Sequence, residues 1–149
     1  MGHHHELIKQ LHSVNYILVA DDDFDDQELI RDAFEDNGVM EAKLQFVSDG
    51  VELIEKLNST ELLPSLIILD LNMPRKSGKD VLAEMRGAAN LKHIPVIMFS
   101  TSDSEIDIKQ CYLLGANSYM TKPSQYHELV DSMKSLLSFW LGTAKLVID

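Results

Sequence analysis

Five times along the chain, a short apolar run gives way to a stretch in which apolar residues recur at helical spacing. Residues 16–20 (Tyr16, Ile17, Leu18, Val19, Ala20) predict a first strand, and Phe24–Asp36 a helix with Asp23 as its N-cap and Gly38 as its stop. Leu44–Val47 predicts the second strand, followed by a short helix over 51–57 that buries Val51, Ile54 and Leu57. Leu66–Leu69 is apolar throughout, the pattern of a strand covered on both faces. A helix over 81–85 follows the turn signal Ser77-Gly78, and residues 95–99 predict the fourth strand. Ser102 with Glu105 three residues on has the form of a capping box, opening a helix that ends at Gly115. Ser118–Thr121 predicts the fifth strand. Ser124 is placed to cap a last helix whose Tyr126, Leu129, Val130, Met133, Leu136, Leu137 and Trp140 share one face.

Five such units imply an α/β fold, a five-stranded doubly wound parallel sheet with right-handed crossovers and helices on both faces. No repeat or linker divides the chain, so residues 14–140 are expected to form one domain. Residues 1–13 read as a lead-in that begins with a tag-like His3, His4 and His5, and residues 141–149 as a tail with an apolar cluster at Leu146, Val147 and Ile148.

Composition narrows the function classes. The chain has 149 residues, enough for one full core, and no apolar stretch near the roughly 20 residues of a membrane span. No signal-peptide core is visible, and a single cysteine, Cys111, excludes an internal disulfide, so a cytoplasmic protein is expected. Twenty-four acidic against 13 basic residues give a formal charge of −11, which repels phosphate backbones and argues against nucleic-acid binding. His12, His93 and His127 lack the spacing of a metal site.

The chemistry-bearing residues gather at the carboxyl ends of the predicted strands, where open parallel sheets bind ligands. Asp21, Asp22 and Asp23 follow the first strand, Asp70 follows the third, Ser100 and Thr101 close the fourth, and Lys122 closes the fifth ahead of Pro123. Helix capping and the macrodipole account for Asp23, Asp25 and Asp26. Asp21 and Asp22 precede the cap, and on their own they fit a cation site and a solvated helix start equally. Asp70, with Asn72, Pro74 and Gly78 nearby, reads either as a turn residue or as a carboxylate nucleophile toward phosphorus. The second reading requires a divalent cation and a lysine close by to neutralise the transferring group. Hydroxyls at Ser100 and Thr101 alone are ordinary turn residues, but with Asp21, Asp22, Asp70 and Lys122 they complete a phosphate-binding set. A cis Lys122–Pro123 bond would redirect the lysine inward, and the sequence leaves that open.

These residues give the region 14–140 a close resemblance to the receiver domain of two-component response regulators. The intervals of 30 residues from Asp70 to Ser100 and 22 from Ser100 to Lys122 match those of the chemotaxis regulator, and the run from Gly115 through Tyr119 to Lys122 and Pro123 is a near-specific signature. Ser138, Phe139, Trp140 and Leu141 further resemble the ending of small stand-alone regulators that partner bacterial phytochromes. The resemblance implies a flavodoxin-like receiver fold with Asp70 as phosphoacceptor. It implies Mg²⁺ on Asp22, Asp70 and the carbonyl of Asn72, with Asp21 acting through water. Lys122 would pair with the phosphoryl oxygens, and Ser100 and Tyr119 would form the switch. Three positions depart from the family pattern: Ser100 where threonine is commoner, Thr101 where a very small residue is usual, and Ser124 where a large apolar residue usually packs.

The function expected is therefore a single-domain response regulator that takes a phosphoryl group from a sensor histidine kinase, phytochrome-like by the subfamily resemblance. It would act on itself alone, not as an enzyme on outside substrates, and pass the signal to a downstream protein or phosphotransfer partner. A homodimer through the last helix, Phe139 and Trp140 is also envisaged, with no nucleic acid and no membrane as partners. Two other classes compete. A phosphorylation-independent receiver-like binding module would need none of the intact acid pair, acceptor and lysine. An aspartate-phosphate hydrolase of the haloacid dehalogenase type wants an acid two residues after its nucleophile, where this chain has Asn72.

Overall fold

Residues 15–147 are described by the computed structural model, so the reading of 1–13 as a lead-in, His12 and the last two residues of the tail lie outside the described residues. Five strands, β1 (Ile17–Ala20), β2 (Leu44–Val47), β3 (Leu66–Leu69), β4 (Val96–Ser100) and β5 (Ser118–Thr121), form one parallel sheet in the order β2-β1-β3-β4-β5. Helices α1 (Phe24–Asp36), α2 (Gly50–Ser59), α3 (Gly78–Arg86), α4 (Glu105–Leu113) and α5 (Tyr126–Leu137) connect and follow them. The α/β doubly wound expectation holds.

The alternation of strand side chains explains the two-sided core. Leu18, Ala20, Ile67, Leu69, Val96 and Met98 point to the face covered by Leu53 and Leu57 of α2, Val81 and Met85 of α3, and Cys111 of α4. Ile17, Val19, Leu66, Ile68, Ile97 and Phe99 point to the other, covered by Ile30 and Phe34 of α1 and by Met133 and Leu137 of α5. Each of the larger side chains among them (Val, Leu, Ile, Met and Phe), fully buried, contributes about 1.5–3 kcal/mol from the removal of apolar surface from water. This demand on both faces is why β1 and β3 are apolar throughout and β4 is apolar up to its last residue, Ser100. The edge strand β5 is only half-buried.

Because β1 is followed by β2 on one side and lies against β3 on the other, the strand order reverses between β1 and β3. The register pairs Ala20 with Leu69, so the residues that follow them, Asp21 and Asp70, emerge side by side at that reversal.

Several boundaries differ from the sequence expectation. Helix α4 is capped by Ser104, whose Oγ accepts from the Asp107 amide, not by Ser102. Ser102 donates its hydroxyl to the Asp107 carboxylate instead, which takes it out of the cap. Helix α5 starts after Gln125 with no side-chain cap, so Ser124 does not cap it. Helix α2 begins one residue earlier than expected, at Gly50, and Val51 is only half-buried while Leu53 joins Ile54 and Leu57 on the buried face. Tyr126 lies at the rim of the α5 face, its hydroxyl donating to Asp36. Beyond α5 the chain continues in a π-helical turn, Ser138–Thr143, that buries Leu141, so the helical region does not stop at residue 140. The Lys122–Pro123 bond is trans, as are all peptide bonds among the described residues.

Candidate functional site

The crevice at the strand ends is assembled by backbone pairing before any side chain acts. The Asp21 amide donates to the Val47 carbonyl (3.1 Å), the Asp70 amide to Ala20 (2.9 Å), and the Lys122 amide to Ser100 (2.7 Å). Gln27, buried on α1, donates its side-chain amide to the Asp21 carbonyl at 2.6 Å and fixes the β1–α1 loop. Asp23 caps α1 by accepting from the amides of Asp25 and Asp26, while its own amide donates to Asp21 Oδ1 (3.0 Å). Below Asp70, Gly78 approaches so closely that a Cβ there would lie 2.2 Å from the Asp70 carbonyl oxygen, so only glycine allows α3 to start where it does.

Three carboxylates from two strand ends converge. Oxygens of Asp21, Asp22 and Asp70 lie within 4.8 Å of one another, Asp21 and Asp70 buried and Asp22 exposed. Burial pushes the Asp21 and Asp70 carboxyls above the ordinary carboxylate range, against the lowering effect of Lys122 and of backbone amides, those of Leu71 and Asn72 in the case of Asp70. Lys122 Nζ reaches Asp21 Oδ2 at 2.7 Å, Asp26 Oδ2 at 3.0 Å and Asp70 Oδ2 at 3.2 Å. These pairings hold the Lys122 ammonium above its usual range even though burial alone would lower it. A trans peptide suffices to bring the lysine in.

One ammonium does not balance four carboxylates. An all-oxygen donor set with surplus negative charge and an exposed member on the solvent side suits a hard divalent cation, so Asp21, Asp22 and Asp70 fit such an ion chemically. Asn72 stands two residues beyond Asp70 in the loop that follows β3, and its backbone amide is among the groups that lower the Asp70 carboxyl against burial.

The flank formed by β4 and β5 is built differently. Ser100 is buried, and its Oγ accepts from the Ser102 amide at 3.2 Å. The Ser102 carbonyl in turn accepts from the Tyr119 hydroxyl (2.7 Å), and the Ser102 hydroxyl donates to Asp107 (2.7 Å). Asp107 is also held by Lys79 of α3 at 2.8 Å. Ser102 therefore links the two residues expected to form the switch, a role the sequence reading missed. Thr101 is exposed and, with Asp26, Phe99, Lys122 and Pro123, lines a pocket of about 90 Å³ beside the acids.

Asp26 was also missed as a site residue. Its carboxylate on Lys122 is more than helix-start decoration. A signal existed: Asp26 stands four residues before Ile30 and seven before Ala33, at the head of the buried stripe of α1, where an acid is otherwise costly.

Comparison with known proteins agrees with this geometry. Residues 17–134 match the Response regulator receiver domain. The chain is 33% identical over 135 residues to the response regulator Rcp1 of Synechocystis, covering 87% of this chain and 91% of Rcp1. Its fold superposes on the phosphorylated cyanobacterial phytochrome response regulator RcpA with a TM-score of 0.82 at 38% identity, covering 88% of this chain and 96% of RcpA. It superposes on the Mn²⁺-bound form of Rcp1 with a TM-score of 0.80 at 33% identity, covering 89% and 98%. With the strand order, the acid cluster and the lysine in the positions described, the chain belongs to the family of response regulator receiver domains.

Proposed function

We propose that this receiver accepts a phosphoryl group on Asp70 from a histidine of a sensor kinase, and that the reaction depends on Mg²⁺. The observation that carries the reading is a buried carboxylate, Asp70, sharing one ammonium with Asp21 beside an exposed third acid. In the transfer, Asp70 Oδ attacks phosphorus, the P–N bond to the kinase imidazole breaks, and its electron pair returns to the ring nitrogen. Bound Mg²⁺ would neutralise charge on the transferring oxygens, held by Asp22, Asp70 and the Asn72 carbonyl, with Asp21 engaged through water. Lys122 supplies a second positive charge by donating to a phosphoryl oxygen. Ser100 donates its hydroxyl to another, and Tyr119 follows that movement. Hydrolysis by water returns the carboxylate and inorganic phosphate, so the protein acts on itself and turns over no outside substrate.

RcpA is described as a phytochrome response regulator, which supports a phytochrome-like kinase as the donor here. Phe139 is half-exposed and packs edge-on to Trp140 at 5.2 Å, giving the end of α5 an apolar surface suited to a homodimer or to a downstream protein. Incubation with acetyl phosphate and Mg²⁺ should add one phosphoryl group by intact mass, and Asp70→Asn should add none. Modification that survives the substitution refutes the acceptor. No uptake by the unaltered protein, even from a histidine kinase, leaves only the phosphorylation-independent binding module.

A further inference from the structure

A lysine ammonium has three N–H donors and no more. In Lys122 all three are committed, to Asp21, Asp26 and Asp70. If the reading of Asp70 as phosphoacceptor holds, a phosphoryl oxygen needs one of those donors, so one of the three contacts must be exchanged. The three are not equally easy to displace. The Asp21 side chain is 2% exposed and also accepts from the Asp23 amide, and Asp70 is 11% exposed and bears the phosphoryl group itself. Asp26 is 36% exposed, sits on the first turn of α1, and borders the pocket of about 90 Å³ that also reaches Leu29, Thr101 and Lys122. Its oxygens regain water on leaving, at little desolvation cost.

We infer that Asp26 is a displaceable counter-ion: it occupies the third donor of Lys122 in the unphosphorylated protein and gives that donor up to the phosphoryl group. Two consequences follow. The negative charge of Asp26 beside the incoming oxyanion weakens phosphoryl binding and sets the threshold for activation. Phosphorylation also frees a carboxylate on α1, so the change reaches the face between α1 and the β5–α5 loop as well as Tyr119. Asp26 is thus a positioning residue acting through Lys122, outside the metal-binding triad.

Beryllofluoride, which mimics a phosphoryl group on a carboxylate, provides the test with the full chain in saturating Mg²⁺. Asp26→Asn and Asp26→Ala should each bind it about three- to tenfold more tightly than the unaltered protein, the range expected for a partly exposed charge. Their melting temperatures without beryllofluoride should stay within a few degrees of wild type, which separates the effect from general stability. In the unaltered protein, the amides of Asp25 and Asp26 should shift on titration. Equal or weaker affinity in both variants overturns the inference while leaving Asp70 as acceptor. Absence of binding by the unaltered protein, matching an Asp70→Asn control, overturns the acceptor reading and the inference with it.

Discussion

At the ends of β1 and β3, buried carboxylates share a single ammonium. At the ends of β4 and β5, the backbone amide and carbonyl of one serine, Ser102, are held by the hydroxyls of Ser100 and Tyr119, and its side chain by an aspartate at the surface. The two flanks of one crevice thus rest on bonds of different kinds. On the acid flank the bonds of Lys122 to Asp21 and Asp70 are charge-assisted and mostly out of water, so removing one partner leaves an uncompensated charge. On the switch flank, the bonds of the Ser102 backbone to the Ser100 and Tyr119 hydroxyls are neutral and each worth about 0.5–1.5 kcal/mol net, and β5 is half-exposed, so water can replace them. A flank of the first kind holds its geometry until its charge changes. One of the second kind can adopt a second arrangement at small cost, which is what a switch requires.

The sharpest way to break the contrast is Lys122→Met. It strands Asp21 and Asp70 without their counter-ion, and in metal-free buffer at neutral pH the loss should be about 3–5 kcal/mol by urea denaturation. Its pH dependence has a definite sign. Both carboxyls are raised in the folded protein, chiefly by burial, so their favourable contribution is complete below the unfolded carboxylate pKa of about 4 and is lost as pH rises through the higher folded value. Removing the lysine raises the folded values further. The defect should therefore be smallest near pH 4 and widen toward pH 7. A defect of constant size across that range would show that Lys122 acts by packing and not by charge.

Next in size is the response to metal. With Mg²⁺ at a hundredfold over its dissociation constant, wild type should gain about 2.7 kcal/mol in stability. Asp22→Ala should lose that gain, because it removes the exposed member of the triad while leaving the two buried acids and Lys122 in place. Without metal, the variant should be at least as stable as wild type, since one like charge is gone. Thermal melts with Mg²⁺ and with chelator check both statements, and an unchanged Mg²⁺ effect in the variant rejects the metal site.

The acid flank was the more legible of the two in the sequence, for a physical reason. Acids that follow an apolar run mark a strand end, and all five strands are bounded as expected to within a residue; for the central β1, β3 and β4, burial on both faces leaves few alternatives. Asp21, Asp22, Asp70 and Lys122 meet as expected, since parallel pairing brings strand ends together. What escaped is what depends on side-chain competition at close range. Ser102 and Ser104 each precede an acid by three residues, and only the fold decides that Asp107 takes the Ser102 hydroxyl while Ser104 caps α4. Asp26 looked like a macrodipole residue because its partner is 96 positions away. Gln27, holding the Asp21 carbonyl, carries no sequence signal beyond being a polar residue next to a buried stripe.

The smallest effect expected on stability belongs to Lys79→Met on the switch flank. Its ion pair with Asp107 joins two partly exposed side chains, so unfolding free energy should change by less than about 1 kcal/mol. The substitution nevertheless frees Asp107, which positions Ser102, whose amide is bonded to Ser100 and whose carbonyl holds the Tyr119 hydroxyl. If the switch flank works as a chain of weak, exchangeable bonds, loosening one end should shift the balance at the other. The amide resonances of Ser102 and Tyr119 in the unliganded variant should move along the line that joins the free and beryllofluoride-bound wild-type positions, with Asp21 and Asp70 unmoved. Ser100→Ala in the same background should suppress the movement caused by beryllofluoride, because the linking hydroxyl is gone. Shifts off that line, or equal shifts at Asp21 and Asp70, would mean that the two flanks move as one body and that the contrast between them is wrong.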